Sequence, residues 1–166
     1  MRKRRGGGQR GTMEPVPETY RAPETARRIA LVAESFARLL GRALVPPGGD
    51  AVAALWAAPA VMVAHGTQGD PLFFFGNAAA LARFECPAER FIGMPSQLSA
   101  EAPLREERQA LLDRVRRDGF ISDYAGVRIS ATGKRFRIEQ AVVWNLVDAV
   151  GAVHGQAALF DRWVEL

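Results

Sequence analysis

Few residues in this sequence are of types that do chemistry, and their spacing narrows what they can do. His65 closes the apolar run 60–65, AVMVAH, and is followed by Gly66. An imidazole there can act as a general base, a metal ligand or a hydrogen-bond anchor for a ligand, or it can simply fix the loop. No second His, Cys or carboxylate stands at metal-ligand spacing from it, so no metal site is expected. His154 falls near the last turn and is expected in solvent. Cys86 is the only cysteine, which rules out an internal disulfide and suits a reducing compartment. Its simplest role is that of a small buried thiol. Nucleophile triads, Gly-rich phosphate loops and paired catalytic carboxylates are absent from the sequence. An enzyme would have to use Asp123 or His65 as its acid or base. The run REER at 105–108 reads as a solvated helix face.

Binding is better supplied than catalysis. Trp144 and Asn145, with Phe136, Tyr124, Arg128 and Gln156, fall on strand-like runs and could line a pocket between a sheet and its helices. Such sites are mostly apolar with a few oriented polar groups. With His65 and Asn77 these residues make up the expected ligand-binding set. The alternative is that Trp144 and Phe136 only fill the core, leaving a dimerisation module without a ligand.

The elements that must position these residues centre on Gly69–Glu85, GDPLFFFGNAAALARFE. Asp70-Pro71 reads as a turn, Leu72–Gly76 as a strand, and Asn77 as the N-cap of a helix at 78–84. Before it, Pro23 opens a helix to Leu40 with an apolar stripe of Ile29, Val32, Phe36, Leu39 and Leu40, stopped by Gly41. Asp50 caps a second short helix, closed by Pro59, and 60–65 is a strand. Cys86-Pro87 opens one helical turn. A longer helix is expected over 102–118, with Leu104, Leu111, Leu112 and Val115 inward and the opposite-sign pairs Glu101–Arg105 and Asp113–Arg117 outward. Runs 120–130, 134–146 and 152–160 read as an antiparallel meander. In the middle run Phe136, Ile138, Val142 and Trp144 share one parity, which predicts one buried face. In the run of three phenylalanines the same period turns Phe74 away from Phe73 and Phe75, so both sheet faces need a cover.

This order predicts an α+β fold: a five-stranded antiparallel sheet with helices over one face and an additional N-terminal amphipathic helix. That helix must bury its stripe on the other face of the sheet or against a partner chain. With 166 residues, 48% of them hydrophobic, the chain suits one domain over 23–166 behind a Gly-, Arg- and Pro-rich leader at 1–22. The pI near 10.0 is misleading. Five of the 22 basic residues lie in the first twelve positions, and the remaining 17 face all 18 acidic ones. Residues 13–166 therefore carry −1, and nucleic acid is expected to meet the basic tail if it meets anything. No run reaches the ~18 apolar residues of a spanning helix, so no membrane contact is expected and a cytoplasmic location is the default.

Several motifs in order resemble one family. They are His65-Gly66-Thr67, DPLFFFGN at 70–77, ALARFE at 80–85, PSQLSAE at 95–101, REER at 105–108, YAGVRIS at 124–130, GKRFRIEQAVVWNLVD at 133–148 and GQAALF at 155–160. From about residue 25 to the C-terminus the chain is similar to the MEKHLA domain, a PAS-related family found as small bacterial proteins and at the C-terminus of plant homeodomain–leucine zipper factors. The resemblance implies a PAS-like fold and a sensory or regulatory module whose small-molecule ligand is unknown. A protein partner or a homodimer would receive the signal through the 24–40 helix. Light-sensing PAS relatives carry a flavin-reactive cysteine in a motif resembling Gly-x-Asn-Cys-Arg-Phe. The matching stretch here, Gly93-Met94-Pro95-Ser96, has Ser96 in its place, and Cys86 lies a turn earlier. A flavin adduct is therefore disfavoured. Haem is disfavoured as well, since the helices at 77–118 hold no histidine. A cone-shaped α+β fold of the ketosteroid-isomerase type is the enzyme alternative.

Overall fold

The computed structural model describes residues 14–100 and 105–166. The basic tail, Leu104 and the Glu101–Arg105 pair lie outside the described residues. Helix α1 (Pro23–Leu40) starts on its proline and ends on Gly41, whose left-handed backbone (φ 70) closes the last turn. Helix α2 (Ala51–Ala57) is capped by Asp50, whose side chain accepts from the Ala53 N–H. Strands β1 (Val61–His65) and β2 (Phe73–Gly76) lead into α3 (Ala78–Phe84), a single turn α4 (Ala88–Phe91) and α5 (Arg105–Asp118). Three long strands follow: β3 (Phe120–Ile129), β4 (Arg135–Val147) and β5 (Val153–Phe160). A short β6 (Arg162–Glu165), which the sequence pattern did not announce, extends β5 past Asp161 and pairs with the first half of β4.

Every pairing is antiparallel, in the order β2-β1-β5-β4-β3. The five expected strands are present, and apolar clusters cover both faces of the sheet. On one face α1 and α2 bury Ile29, Val32, Phe36, Leu55 and Trp56 against Met62, Ala64, Trp144 and Leu146. On the other, α3, α4 and α5 bury Phe84, Phe91 and Val115 against Val61, Phe73, Ile121, Phe136, Ile138 and Val143. The stripe of α1 is thus spent on the sheet of its own chain.

Three expectations need correction, two of them because backbone irregularities break the period of two. A bulge sets Ala64 opposite Phe75 but His65 opposite Phe73, so Phe74 is the extra residue. Phe73 stacks on Phe91 at 4.4 Å, while Phe74 and Phe75 both join the α1 side. In β4 the left-handed Gln140 (φ 51) inverts the alternation. Phe136 and Ile138 face α3, whereas Val142 and Trp144, of the same parity, face α1. The third concerns 14–22, expected as part of an unstructured leader. Glu18–Arg21 forms a 3-10 turn that buries Tyr20 completely. Its hydroxyl donates to the Gly76 carbonyl (2.6 Å) and accepts from the Gly76 N–H (3.2 Å), completing the open edge of β2. Burial pushes that phenol up to about 12.

Candidate functional site

A small cavity of about 60 Å³ lies between the sheet and α5. Val63, Ile121, Ile138 and Val143 give it an apolar floor, and Leu111 and Leu112 of α5 roof it. Five polar side chains line it, His65, Ser99, Arg108, Arg128 and Gln156, with the Tyr124 ring beside Arg128. Among the described residues, no carboxylate lines it.

The strands fix these groups. Residues His65 and Gln156 are register partners across β1 and β5, and Gln156 is in turn opposite Asn145 on β4. They form one polar row across the sheet. Gly155 lets β5 pass there: at φ 144 it runs so close to the His65 carbonyl that any side chain would collide with it. The Gln156 amide nitrogen donates to the Leu112 carbonyl and to Asn145 Oδ1, both at 3.1 Å. In the same row Asn145 Nδ2 donates to the Val115 carbonyl at 3.0 Å, which ties the row to α5. His65 Nδ1 sits 2.9 Å from the Gly66 carbonyl, leaving Nε2 without a partner. Burial drives this imidazole down to about 4, helped by the nearby Arg108 and Arg116 charges. The ring is therefore neutral across the physiological range.

On the far side of the cavity Arg128, 9% exposed, donates to the Val127 carbonyl (3.0 Å) and to Tyr124 Oη. Arg108 donates to the buried Ser96 hydroxyl at 2.7 Å. Burial, and then the like charge of Arg128, lower the Arg108 guanidinium to about 10. A second, wider groove of about 490 Å³ opens next door, lined by the 65–69 loop, Gln109, Arg116 and Asn145. His65, Leu112 and Gln156 line both spaces, so they form the wall between the cavity and the solvent-facing groove.

Of the expected ligand-binding set, the structure brings His65, Tyr124, Arg128 and Gln156 to the cavity and Asn145 to the groove. It does not bring the others there. Trp144 lies on the opposite face, donating from Nε1 to the Val32 carbonyl at 3.1 Å and meeting Phe36 edge-on at 5.0 Å. Phe136 is packed in the core under Arg83, whose guanidinium stands 3.9 Å from the ring centre. Asn77 has no atom to spare. Its Oδ1 accepts from Met62 N (3.1 Å) and Ala80 N (3.0 Å), and its Nδ2 donates to Ala60 O at 2.8 Å.

Arg108 is the site residue that sequence reasoning misses, because REER reads as a solvated helix face whereas Arg108 lines the cavity. The signal was there: 108, 111, 112 and 115 fall on one helical face, so the last arginine of the run turns inward. Asp113 takes a hydrogen bond from Gln109, and Arg117 pairs with Asp118, so the Asp113–Arg117 pair does not form. His154 is not free in solvent either; its Nε2 lies 2.8 Å from Asp148 Oδ2. That bond, with backbone N–H groups, holds the Asp148 carboxyl below its usual range. Cys86 is buried away from the cavity, and burial raises its thiol. Asp123 is exposed on β3. Among the described residues no cluster of His, Cys, Asp or Glu could hold a metal ion, and no helix is long and apolar enough to cross a membrane.

Comparison with solved structures shows the fold. A PAS domain of a protein from Colwellia psychrerythraea is similar, with 14% identity over 69% of this chain and 92% of that one (TM-score 0.58). A light–oxygen–voltage domain studied with a flavin analogue is similar over 72% of this chain and 86% of its own, with 14% identity (TM-score 0.53). An RNA-binding light–oxygen–voltage receptor matches with 13% identity over 71% of this chain but 34% of its own length (TM-score 0.58). Among curated proteins none matches significantly in sequence. The profile of the MEKHLA domain family matches residues 26–165, nearly the whole described chain. The chain belongs to the MEKHLA domain family, on the fold of the PAS and light–oxygen–voltage domains.

Proposed function

We propose that this sensory or regulatory module binds a small molecule in the cavity beneath α5 and passes the event through the sheet to α1. The observation that carries the reading is the polar row of His65 and Gln156, which lines a pocket with an apolar floor and roof and has hydrogen-bonding capacity left over. A core selected for stability alone has no use for such groups. Space of about 60 Å³ favours a ligand of a few non-hydrogen atoms over a flavin or haem.

The route to α1 is short. Val143 lines the cavity, and its neighbours Val142 and Trp144 on the same strand face α1. Ser35 of α1 donates to the Val147 carbonyl at 3.2 Å and accepts from its N–H at 2.8 Å, while Arg38 reaches the Val147 and Asp148 carbonyls, both at 2.9 Å. A shift of β4 on ligand binding would thus move the α1 surface that a partner protein reads. Catalysis is disfavoured: His65, near 4, is a weak base, no carboxylate among the described residues orients it, and Asp123 is exposed.

Native mass spectrometry of the chain purified from its own host tests the reading. A mass excess lost on denaturation is expected, and Ala158→Phe, which fills the cavity, should abolish it. An excess that survives in A158F, or none in the natural protein, overturns the proposal.

A further inference from the structure

The cavity holds two cations and two unpartnered acceptors, and together they define the class of molecule it takes. The inference rests on the cavity being the ligand site. Among the described residues neither Arg108 nor Arg128 meets a carboxylate, whereas Arg21, Arg83, Arg117 and Lys134 each do. Asp70 acts on Arg108 only through space. A guanidinium has five N–H donors in a planar fork; Arg128 has used donors on two carbonyl or hydroxyl partners and Arg108 on one. A withdrawn cation without a counter-ion is costly, and a planar carboxylate is the partner this fork fits best.

The acceptors are fixed by their neighbours. The Gly66 carbonyl can only accept, so His65 Nδ1 carries the proton and Nε2 is a bare lone pair. Gln156 Nε2 faces two acceptor oxygens, so its amide cannot be flipped, and Oε1 is the end without a partner. Both side chains are more than nine-tenths buried, at 8% and 6% exposure. Being register partners, they offer adjacent acceptors to a single O–H or N–H group.

We propose that the cavity takes a small aliphatic monocarboxylate that also bears a hydroxyl or amino donor. Its carboxylate lies against Arg108 and Arg128, its donor meets His65 Nε2 and Gln156 Oε1, and its body lies on Val63, Ile121 and Val143. A plain hydrocarbon would leave both arginines without a counter-charge and both acceptors unpaired. A dicarboxylate would press a second anionic end onto bare acceptors, which would repel it.

Calorimetry and thermal shift on the full chain test this with three- to six-carbon hydroxy- and aminocarboxylates, represented by 3-hydroxybutyrate and 4-aminobutyrate, beside butyrate and 3-hydroxybutyramide. The hydroxy- or amino-acid should bind about tenfold more tightly than either the plain acid or the amide. Arg108→Gln and Arg128→Gln should erase the preference for acid over amide. Gln156→Leu should erase the preference for the donor and keep that for the charge. If R128Q does not fold, Arg128→Lys retains the charge without the fork and should weaken the acid several-fold. Amide bound as tightly as acid, R108Q without effect, or no acid bound at all overturns the assignment. A native mass excess that A158F abolishes would in those cases still leave the cavity as the ligand site, so the two readings fail separately.

Discussion

Phe136 and Trp144 have the same parity in one strand yet lie on opposite faces of the sheet. The left-handed backbone of Gln140 between them inverts the alternation, and its Oε1 takes a hydrogen bond from Arg162 (2.9 Å) just beyond the matching break at Asp161. This one residue decides which side chains see the cavity. A β-branched residue tolerates positive φ poorly. Gln140→Val should therefore cost about 1–2 kcal/mol, while Gln140→Gly should match or exceed the natural stability. Urea denaturation of the two variants checks the difference.

Trp144→Ala separates the two faces. The indole is fully buried against α1, so its loss should destabilise by about 3–5 kcal/mol. It should not remove a ligand from the cavity in native mass spectrometry below the melting temperature. Val143→Phe, one residue earlier but facing the cavity, should do the reverse and remove the ligand.

Asn77 joins β1, α2 and α3 through one amide. Asn77→Ala should cost about 2–4 kcal/mol, more than the ~1 kcal/mol of an ordinary lost N-cap, because buried backbone groups of β1 and the α2–β1 connection lose their partner too. Asn77→Asp keeps the acceptor and loses the donors, so it should fall between the two in thermal melts at neutral pH.

His65 sets a pH dependence. Unfolded, it binds a proton near 6.5; folded, it resists protonation to about 4. Within that window the unfolded chain holds the extra proton, so stability is full above 6.5 and falls as pH drops toward 4. The loss should be on the order of 3 kcal/mol. Asp50, Glu85, Asp148 and Glu165 are all held below their usual values by hydrogen bonds, so their contributions fade lower, as pH falls through the carboxylate range. His65→Asn can still donate to Gly66 but does not titrate, and should flatten the slope between pH 6.5 and 5 in chemical denaturation. An unchanged slope would show that His65 is accessible to protons in the folded state.

The elements were legible in the sequence because their ends carry local chemistry: Pro23 and Gly41 around α1, Asp50 and Asn77 at the starts of α2 and α3. What was not legible is what local chemistry does not write down. A bulge at Phe74 and a left-handed glutamine at position 140 are decided by the partner strands, and each flips a face. Most of the polar lining of the candidate site was readable from strand position, His65, Tyr124, Arg128 and Gln156 among it, whereas Trp144 lies beyond a break in the alternation. Tyr20 gave no periodic signal, being one aromatic side chain in a polar, Pro-rich stretch. Arg108 was hidden by its neighbours in a charged run, though the helical period pointed it inward.

A crystal structure of the chain purified from its own host tests the central claim most directly. Density for a small bipolar molecule in the cavity, one end at Arg108 and Arg128 and the other between His65 and Gln156, is the predicted result. A cavity closed by its own side chains, with any bound molecule in the outer groove at Gln109 and Arg116, would contradict it.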